Sequence, residues 1–108
     1  VKKLDEPVPS APLSAKLGHV KACFMAGIYG NPETGKALLG KVEKIKDGMV
    51  RLSLVEAIDH LYPQGSAEAA QALEKIVEAD TASGNKDVIS TDDALVKTAL
   101  KLRSRANP

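Results

Sequence analysis

The chain contains few of the residues that disulfides, metal sites and base stacking require. Its 108 residues include one cysteine, two histidines, three aromatic residues and no tryptophan. Cys23 alone cannot form an internal disulfide, and a structural zinc site needs four Cys or His ligands at short spacing. Aromatic platforms for single-stranded nucleic acid are also nearly absent. We therefore expect no metal, no cofactor and a fold that forms without disulfide bonds.

Charge and hydropathy argue against two further classes of protein. The 15 Lys and Arg nearly balance the 14 Asp and Glu, so the net charge is +1. This low net charge predicts no strong attraction to nucleic acid. We also expect no insertion into a membrane, because no apolar run approaches the roughly 20 residues that cross a bilayer. The lone cysteine is no evidence of a disulfide, so the compartment is left open, with the cytoplasm slightly favoured.

The first residues differ in character from the rest of the chain. Residues 1–11 (VKKLDEPVPSA) carry charges and then prolines, without a periodic apolar pattern. Proline disfavours helix at the residue before it. We therefore interpret residues 1–11 as a flexible linker or arm and residues 12–108 as one folded domain. From the start at Val1 rather than Met we expect either a processed protein or an excised piece of a larger one, and we favour the excised piece.

Apolar residues recur three and four positions apart through the rest of the chain, which predicts five helices and no strands. Asn31-Pro32 and Asp47-Gly48 are typical helix starts, and Ser10, Ser66 and Ser90 are further capping candidates. The longest inner break is expected at 81–89. The helices are expected at about 12–29, from 32 to just before 47, and at about 48–62, 67–80 and 92–105.

The same spacing predicts which faces are buried. In the first helix the expected core face is Leu13, Leu17, Val20, Phe24 and Ile28. In the third helix the apolar face contains Val50, Leu54, Ile58 and Leu61, which places Arg51, Glu56 and Asp59 on the other sides.

One segment of the third helix carries a family likeness. Asp47-Gly48-Met49-Val50-Arg51, followed by Ala57-Ile58, resembles the HEAT-repeat pattern of an acidic residue, Val-Arg, and then a small and an aliphatic residue. Val20-Lys21 before Gly27-Ile28 is a weaker copy. The resemblance covers about residues 13–105 and implies an all-α fold, a short right-handed α-solenoid of helical hairpins. A compact five-helix bundle is the alternative architecture.

The resemblance also implies a function. HEAT-like stacks act as non-enzymatic protein–protein interaction or scaffold modules, so the expected partner is another protein or an adjacent domain of the parent chain. The second helix of each hairpin would present the binding face. The exposed candidates on those helices are Lys36, Glu43, Glu68, Gln71, Glu74 and Lys75.

Two other functions remain open from the residues. Nucleic acid could bind the basic residues of the second and last helices (Lys36, Lys41, Lys44, Lys46, Lys97, Lys101, Arg103 and Arg105), although the low net charge favours a solvated face. A regulatory domain of an enzyme is the other, with Cys23 and His19 as a possible reactive pair. We interpret Cys23 as a small buried side chain, and Asp92-Asp93 as helix-start residues rather than an acid–base pair.

Overall fold

The protein is all-α. A computed structural model describes residues 2–9 and 13–107, and within these ranges it contains no strand. Short 3-10 turns occupy Lys2–Asp5 and Leu13–Lys16. Five main helices and a single helical turn follow, which confirms the predicted class and helix number. They are α1 Leu17–Tyr29, α2 Pro32–Lys44, α3 Gly48–Leu61, α4 Ala67–Ser83, the one-turn α5 Lys86–Ile89, and α6 Asp92–Ala106.

Local capping chemistry sets most of the helix starts. At the start of α2 the Asn31 side chain accepts from the Thr34 amide at 3.1 Å, and Thr34 Oγ1 accepts from the Asn31 amide at 3.2 Å. The Asp47 carboxylate caps α3 and the Ser66 hydroxyl caps α4. These contacts satisfy amides that have no partner inside the helix. The three starts predicted from the sequence are therefore confirmed.

The first helix begins later than predicted. α1 starts at Leu17, and the preceding residues form a 3-10 turn instead of the first α-helical turns. The expected cap Ser10 and the first-turn Pro12 lie outside the described residues.

The predicted break at 81–89 is mostly helical. α4 continues to Ser83 and ends at Gly84, whose φ of 69° is in the left-handed region that glycine adopts easily. Asn85 then caps α5. The prediction that Ser90 caps the last helix is wrong, because its hydroxyl donates to the Asp87 carbonyl at 2.7 Å.

The helices lie in two layers. α3 packs between α1 and α6, α2 lies beside α4, and contacts of α2 with α3 and of α4 with α6 join the layers. The molecule is thin in one direction, with extents of 43 × 34 × 16 Å. This is the two-layer arrangement that buries one apolar stripe of each helix. The core between the layers includes Leu38, Val42, Leu54, Ile58, Leu73, Leu95 and Leu102.

The N-terminal residues lie on the helices. Leu4 is 2% exposed and belongs to the core cluster. His19 Nε2 donates to the carbonyl oxygen of Glu6 at 3.0 Å. The sequence was interpreted as a flexible linker here because the segment has no apolar periodicity. The structure places the turn Lys2–Asp5 against α1, packs Leu4 and Val8 on the core, and pairs Asp5 with Lys41 of α2.

Candidate functional site

The predicted binding face contains a groove between α2 and α4. The groove has a volume of about 310 Å³. Leu39 and Ile76 contribute apolar surface to it. It remains open because Gly40, Ala72 and Ala79 are small, and a Cβ atom added at Gly40 would meet nothing within 4 Å. The arrangement can accept one apolar side chain of a bound segment.

Opposite charges stand on the two helices that form this groove. Glu43 of α2 and Lys75 of α4 both line it, and both are exposed. Neither forms an ion pair within the described residues. Lys46 also lines the groove, and its Nζ donates to the Glu43 carbonyl at 2.8 Å. The charges of Glu43 and Lys75 are thus available to a partner.

The structure brings only part of the predicted face together. Glu43 and Lys75 border one groove, whereas three other predicted residues are exposed on the same helices without lining it: Lys36, Glu68 and Gln71. Glu74 instead turns to α6, where it accepts from Arg103 Nε at 3.0 Å and from Arg103 NH2 at 2.5 Å. The hydrogen bonds from Arg103 hold the pKa of Glu74 below its usual value.

A second surface contradicts the sequence prediction for α1. Three residues predicted to face the core are exposed instead: Leu17 by 57%, Phe24 by 66% and Ile28 by 54%. α1 buries His19 and Cys23 in their place. The expected burial of these three apolar side chains is therefore wrong.

Small residues explain the choice of face. A Cβ atom added at Gly27 would lie 3.2 Å from the Cα and Cβ of Ala57, so α1 and α3 approach closely at this point. Cys23 is fully buried on the same side of α1. Close backbone approach brings many atoms into van der Waals contact, which bulky side chains at these positions would prevent. The larger apolar residues consequently remain on the outside.

A groove of about 300 Å³ runs between the exposed side of α1 and α3. Its α1 wall is apolar and consists of Val20, Phe24 and Ile28, while its α3 wall is polar and includes Ser53, Glu56 and His60. Sequence reasoning missed this surface. The available signal was that α1 is apolar on nearly all sides, since Met25 and Tyr29 are exposed on it as well. Such a helix needs cover on more than one face.

Arg51 is the largest error of the sequence prediction. It was expected on an outer side of α3, yet its side chain is fully buried. Its NH1 donates to Asp80 Oδ2 at 2.7 Å and its NH2 donates to Asp80 Oδ1 at 3.2 Å. Further bonds reach Thr91 Oγ1 at 3.1 Å and the carbonyl of Val42 at 3.1 Å. Arg51 thereby joins α2, α4 and the start of α6.

Asp92 belongs to the same buried cluster. Its Oδ1 lies 3.9 Å from Arg51 NH1, and neither of its oxygens accepts a hydrogen bond. Burial raises the pKa of Asp92 to about 7, helped by the hydrogen bond that protonated Asp92 donates to Asp80 and by the negative charge of Asp80. Both aspartates lie in the first turn of α6, as predicted, and Asp93 is exposed and pairs with Lys97 at 3.0 Å. Asp92 is in addition a buried neighbour of Arg51 and Asp80.

Cys23 and His19, the possible reactive pair on α1, are both buried. Burial raises the pKa of the Cys23 thiol to about 11, and its Sγ lies 4.0 Å from the Val50 carbonyl oxygen. His19 is also buried and bonds the backbone of Glu6. A nucleophilic cysteine needs a thiolate and access to its substrate. The surroundings of Cys23 oppose both.

We expect the Cys23 thiol to react slowly with an aromatic disulfide reagent at neutral pH in the folded protein. Unfolding in urea should raise the rate by at least about 100-fold, because it exposes the thiol and restores its ordinary pKa. The release of the coloured thiolate measures the rate, with glutathione in the same buffers as the control. A folded-state rate close to that of glutathione would contradict the buried neutral thiol.

Acidic residues accompany most of the basic residues considered for nucleic-acid binding. Six of these eight side chains have a carboxylate within 4.0 Å in the structure. Such pairing weakens the field that phosphate groups would experience. The pairs are Lys36–Glu33, Lys41–Asp5, Lys97–Asp93, Lys101–Asp59, Arg103–Glu74 and Arg105–Asp59.

Comparisons with known proteins add no relative. A scan of family models, a search of curated proteins and a search of solved structures each found no match. Among residues 2–9 and 13–107, no group of three or more His, Cys, Asp or Glu residues can hold a metal ion. No helix in these ranges is long and apolar enough to cross a membrane. The HEAT resemblance over about residues 13–105 thus stays a prediction from the sequence.

Proposed function

We propose that this chain is a non-enzymatic protein–protein interaction module built of HEAT-like hairpins in a short right-handed solenoid. Its partner is another protein or an adjacent domain of the parent chain, and it binds at the groove between α2 and α4. The observation that carries the proposal is the groove itself. It combines apolar surface with Glu43 and Lys75, whose charges form no ion pair within the described residues.

The segment that resembles HEAT repeats supports the stacked architecture. Asp47 caps α3 through the Val50 amide at 3.0 Å and pairs with Lys16 at 2.5 Å. Val50 lies in the core. Arg51 bonds Asp80 of its own hairpin, the Val42 carbonyl of the preceding hairpin and Thr91 at the start of α6. Asp47 and Arg51 therefore connect their hairpin to the segments before and after it. Connections of this kind are what a stack of hairpins needs, because each hairpin buries its apolar face only against its neighbours.

The chemistry of the groove describes the bound segment. An apolar side chain of the partner would rest on Leu39 and Ile76, in the space that Gly40 leaves open. A Lys or Arg of the same segment would pair with Glu43, and an Asp or Glu would pair with Lys75. Charge placement of this kind fixes the register of a segment and rejects segments with the reverse order.

Filling the groove tests the proposal directly. Random peptides displayed on phage would be selected against the immobilised protein, and their affinities measured by fluorescence polarisation. Gly40→Phe places a ring in the open space of an unstrained helical position. We expect it to weaken the selected peptides at least about tenfold, a loss of about 1.4 kcal/mol. Glu78→Phe is the matched control, because Glu78 is exposed on α4 but does not line the groove.

Charge variants and a binding assay with nucleic acid complete this experiment. Glu43→Lys and Lys75→Glu should each weaken binding of the selected peptides. Peptides in which the facing charge is reversed should regain affinity for the corresponding variant. Unaltered affinity in Gly40→Phe, or failure to select any peptide, would count against the groove. Binding of duplex DNA or RNA with a steep dependence on salt would instead favour the nucleic-acid function.

A further inference from the structure

The groove between α1 and α3 is separate from the proposed partner groove and needs its own occupant. We propose that it joins two copies of this chain, with α1 of each copy lying antiparallel in the α1–α3 groove of the other. The two copies are then related by a two-fold axis, and their four helices form one bundle. In such an interface the same surface serves both subunits, so it must be complementary to itself.

The direction of the two helices fixes the register of the groove. Cys23 of α1 lies at the level of Val50 of α3, and Gly27 lies at the level of Ala57. Residue numbers therefore increase in the same direction along α1 and α3. Glu56 stands beside the level of Gly27, near the C-terminal end of the groove.

The apolar residues of α1 complement one another in an antiparallel pair. The exposed stretch from Leu17 to Ile28 covers about 17 Å of helix at 1.5 Å per residue. A two-fold axis at its centre places Leu17 opposite Ile28 of the second copy, and Phe24 opposite Lys21. The aliphatic stem of a lysine packs well on an aromatic ring, and its ammonium is attracted to the ring face.

The charges complement one another in the same arrangement. Lys21 is an exposed cation on α1, Glu56 is an exposed anion on α3, and neither forms an ion pair within the described part of the chain. Side chains of a helix lean toward its N-terminus. In an antiparallel copy this brings the Lys21 ammonium from the level of Phe24 toward the level of Gly27, beside Glu56. A second copy thus supplies an apolar stripe that packs on the α1 wall of the groove and a cation that pairs with Glu56.

The available area is sufficient for a weak dimer. The exposed parts of Leu17, Phe24 and Ile28 amount to about 350 Å² in each copy, given that large apolar side chains bury roughly 150–250 Å² when fully covered. These side chains supply about 700 Å² over the two copies, and Lys21 and the polar α3 wall must supply the rest of the roughly 1,200 Å² at which specific interfaces begin. We expect a dissociation constant on the order of micromolar.

Sedimentation equilibrium between about 1 and 200 μM tests the dimer, since association must increase with concentration by mass action. The average mass should rise from 11.4 kDa toward twice that value. Phe24→Asp should leave the protein monomeric throughout, with its helical circular dichroism retained, because the side chain is exposed. Tyr29→Asp is the matched control, as Tyr29 is 77% exposed on α1 but does not line this groove. It should dimerise as the parent protein does.

A charge exchange distinguishes this interface from nonspecific apolar association. Lys21→Glu and Glu56→Lys should each raise the dissociation constant at least about tenfold, and the double variant should restore it. A monomer at the highest concentration, a dimer unaffected by Phe24→Asp, or a double variant no tighter than the single ones would overturn the proposal. Gly40→Phe should leave the dimer intact and Phe24→Asp should leave peptide binding intact, so failure of one surface is distinguishable from failure of the other.

Discussion

Arg51→Met should lower the free energy of unfolding by about 3–5 kcal/mol, because it removes one partner from a buried ion cluster. Methionine nearly preserves the volume of the side chain, so the loss reports charge and hydrogen bonding more than a cavity. It leaves Asp80 buried without its two bonds from the guanidinium. It also removes a donor from Val42, whose carbonyl lies in the last turn of α2.

Urea unfolding followed by circular dichroism measures this loss. Native domains of this size are stable by roughly 5–15 kcal/mol, so the expected change is a large fraction of the total. Arg103→Met is the matched control, since Arg103 also has a bidentate contact to a carboxylate, that of Glu74, but at the surface. Exposed pairs contribute about 0–1 kcal/mol. Equal losses in the two variants would refute a special role for the buried cluster.

A second substitution separates the charge from the other contacts of Arg51. Asp80→Asn in the Arg51→Met background removes the uncompensated carboxylate, so we expect it to recover part of the stability. In the parent protein the same Asp80→Asn change should be destabilising, because it breaks the pair. The change of sign is the signature of coupling between neighbours, measured as a double-mutant cycle. Additive losses would mean that the two side chains act independently.

Asp92→Asn should remove a pH dependence from the stability of the fold. Burial and the neighbouring Asp80 raise the pKa of Asp92 to about 7 in the folded protein, above the ordinary value of 3.8. The folded state therefore holds a proton that the unfolded state releases between these two values. The resulting stabilisation is fully present below the ordinary pKa and is lost as the pH rises through about 7.

Asp80 acts in a different range of pH. Burial by itself would raise its pKa, but hydrogen bonds to Arg51 and Asp92 and the charges of Arg51 and Lys46 hold the pKa below the usual value. Its contribution is present above the ordinary pKa of an aspartate and is lost as the pH falls through the lowered one. The interval between about pH 4 and 7 thus isolates Asp92 within this cluster.

Unfolding in urea near pH 5 and near pH 8 checks this prediction. Asparagine cannot ionise, and its amide can still donate to Asp80, so the variant should gain on the order of 2 kcal/mol relative to the parent between these two pH values. Asp93→Asn is the control, because Asp93 is its exposed neighbour and pairs with Lys97 at the surface. If all three proteins show parallel pH profiles, the proton is not held at Asp92.

Contacts between residues close in the chain determine most of the secondary structure, independently of how the helices pack. Asn31, Asp47 and Ser66 begin helices because each side chain bonds an amide within its own next turn, and the predicted starts agree with the structure. The break predicted at 81–89 is longer than the one observed, which is confined to Gly84-Asn85. A glycine with positive φ turns the chain there without a long loop. These features depend on neighbours a few residues apart.

The candidate binding surfaces depend on how helices meet. Glu43 and Lys75 were predicted as exposed positions on α2 and α4, and they occupy one groove only because those helices lie side by side. Glu74 was predicted for the same face and instead meets Arg103 on α6. Helical spacing assigns a residue to an angle around its own axis, but the angle that faces a neighbour is decided by packing.

From the sequence alone came the all-α class, the number of main helices and the positions of most of their caps, because hydrophobic spacing and capping act within one or two helical turns. Tertiary structure alone decided which side of α1 is buried and where the charge of Arg51 is compensated. Two sides of α1 were apolar enough for the core, and the side with Cys23 and Gly27 allowed the closer approach to α3. Arg51 could be buried because Asp80, which lies on α4 and is 29 residues away in the chain, accepts hydrogen bonds from it with both carboxylate oxygens.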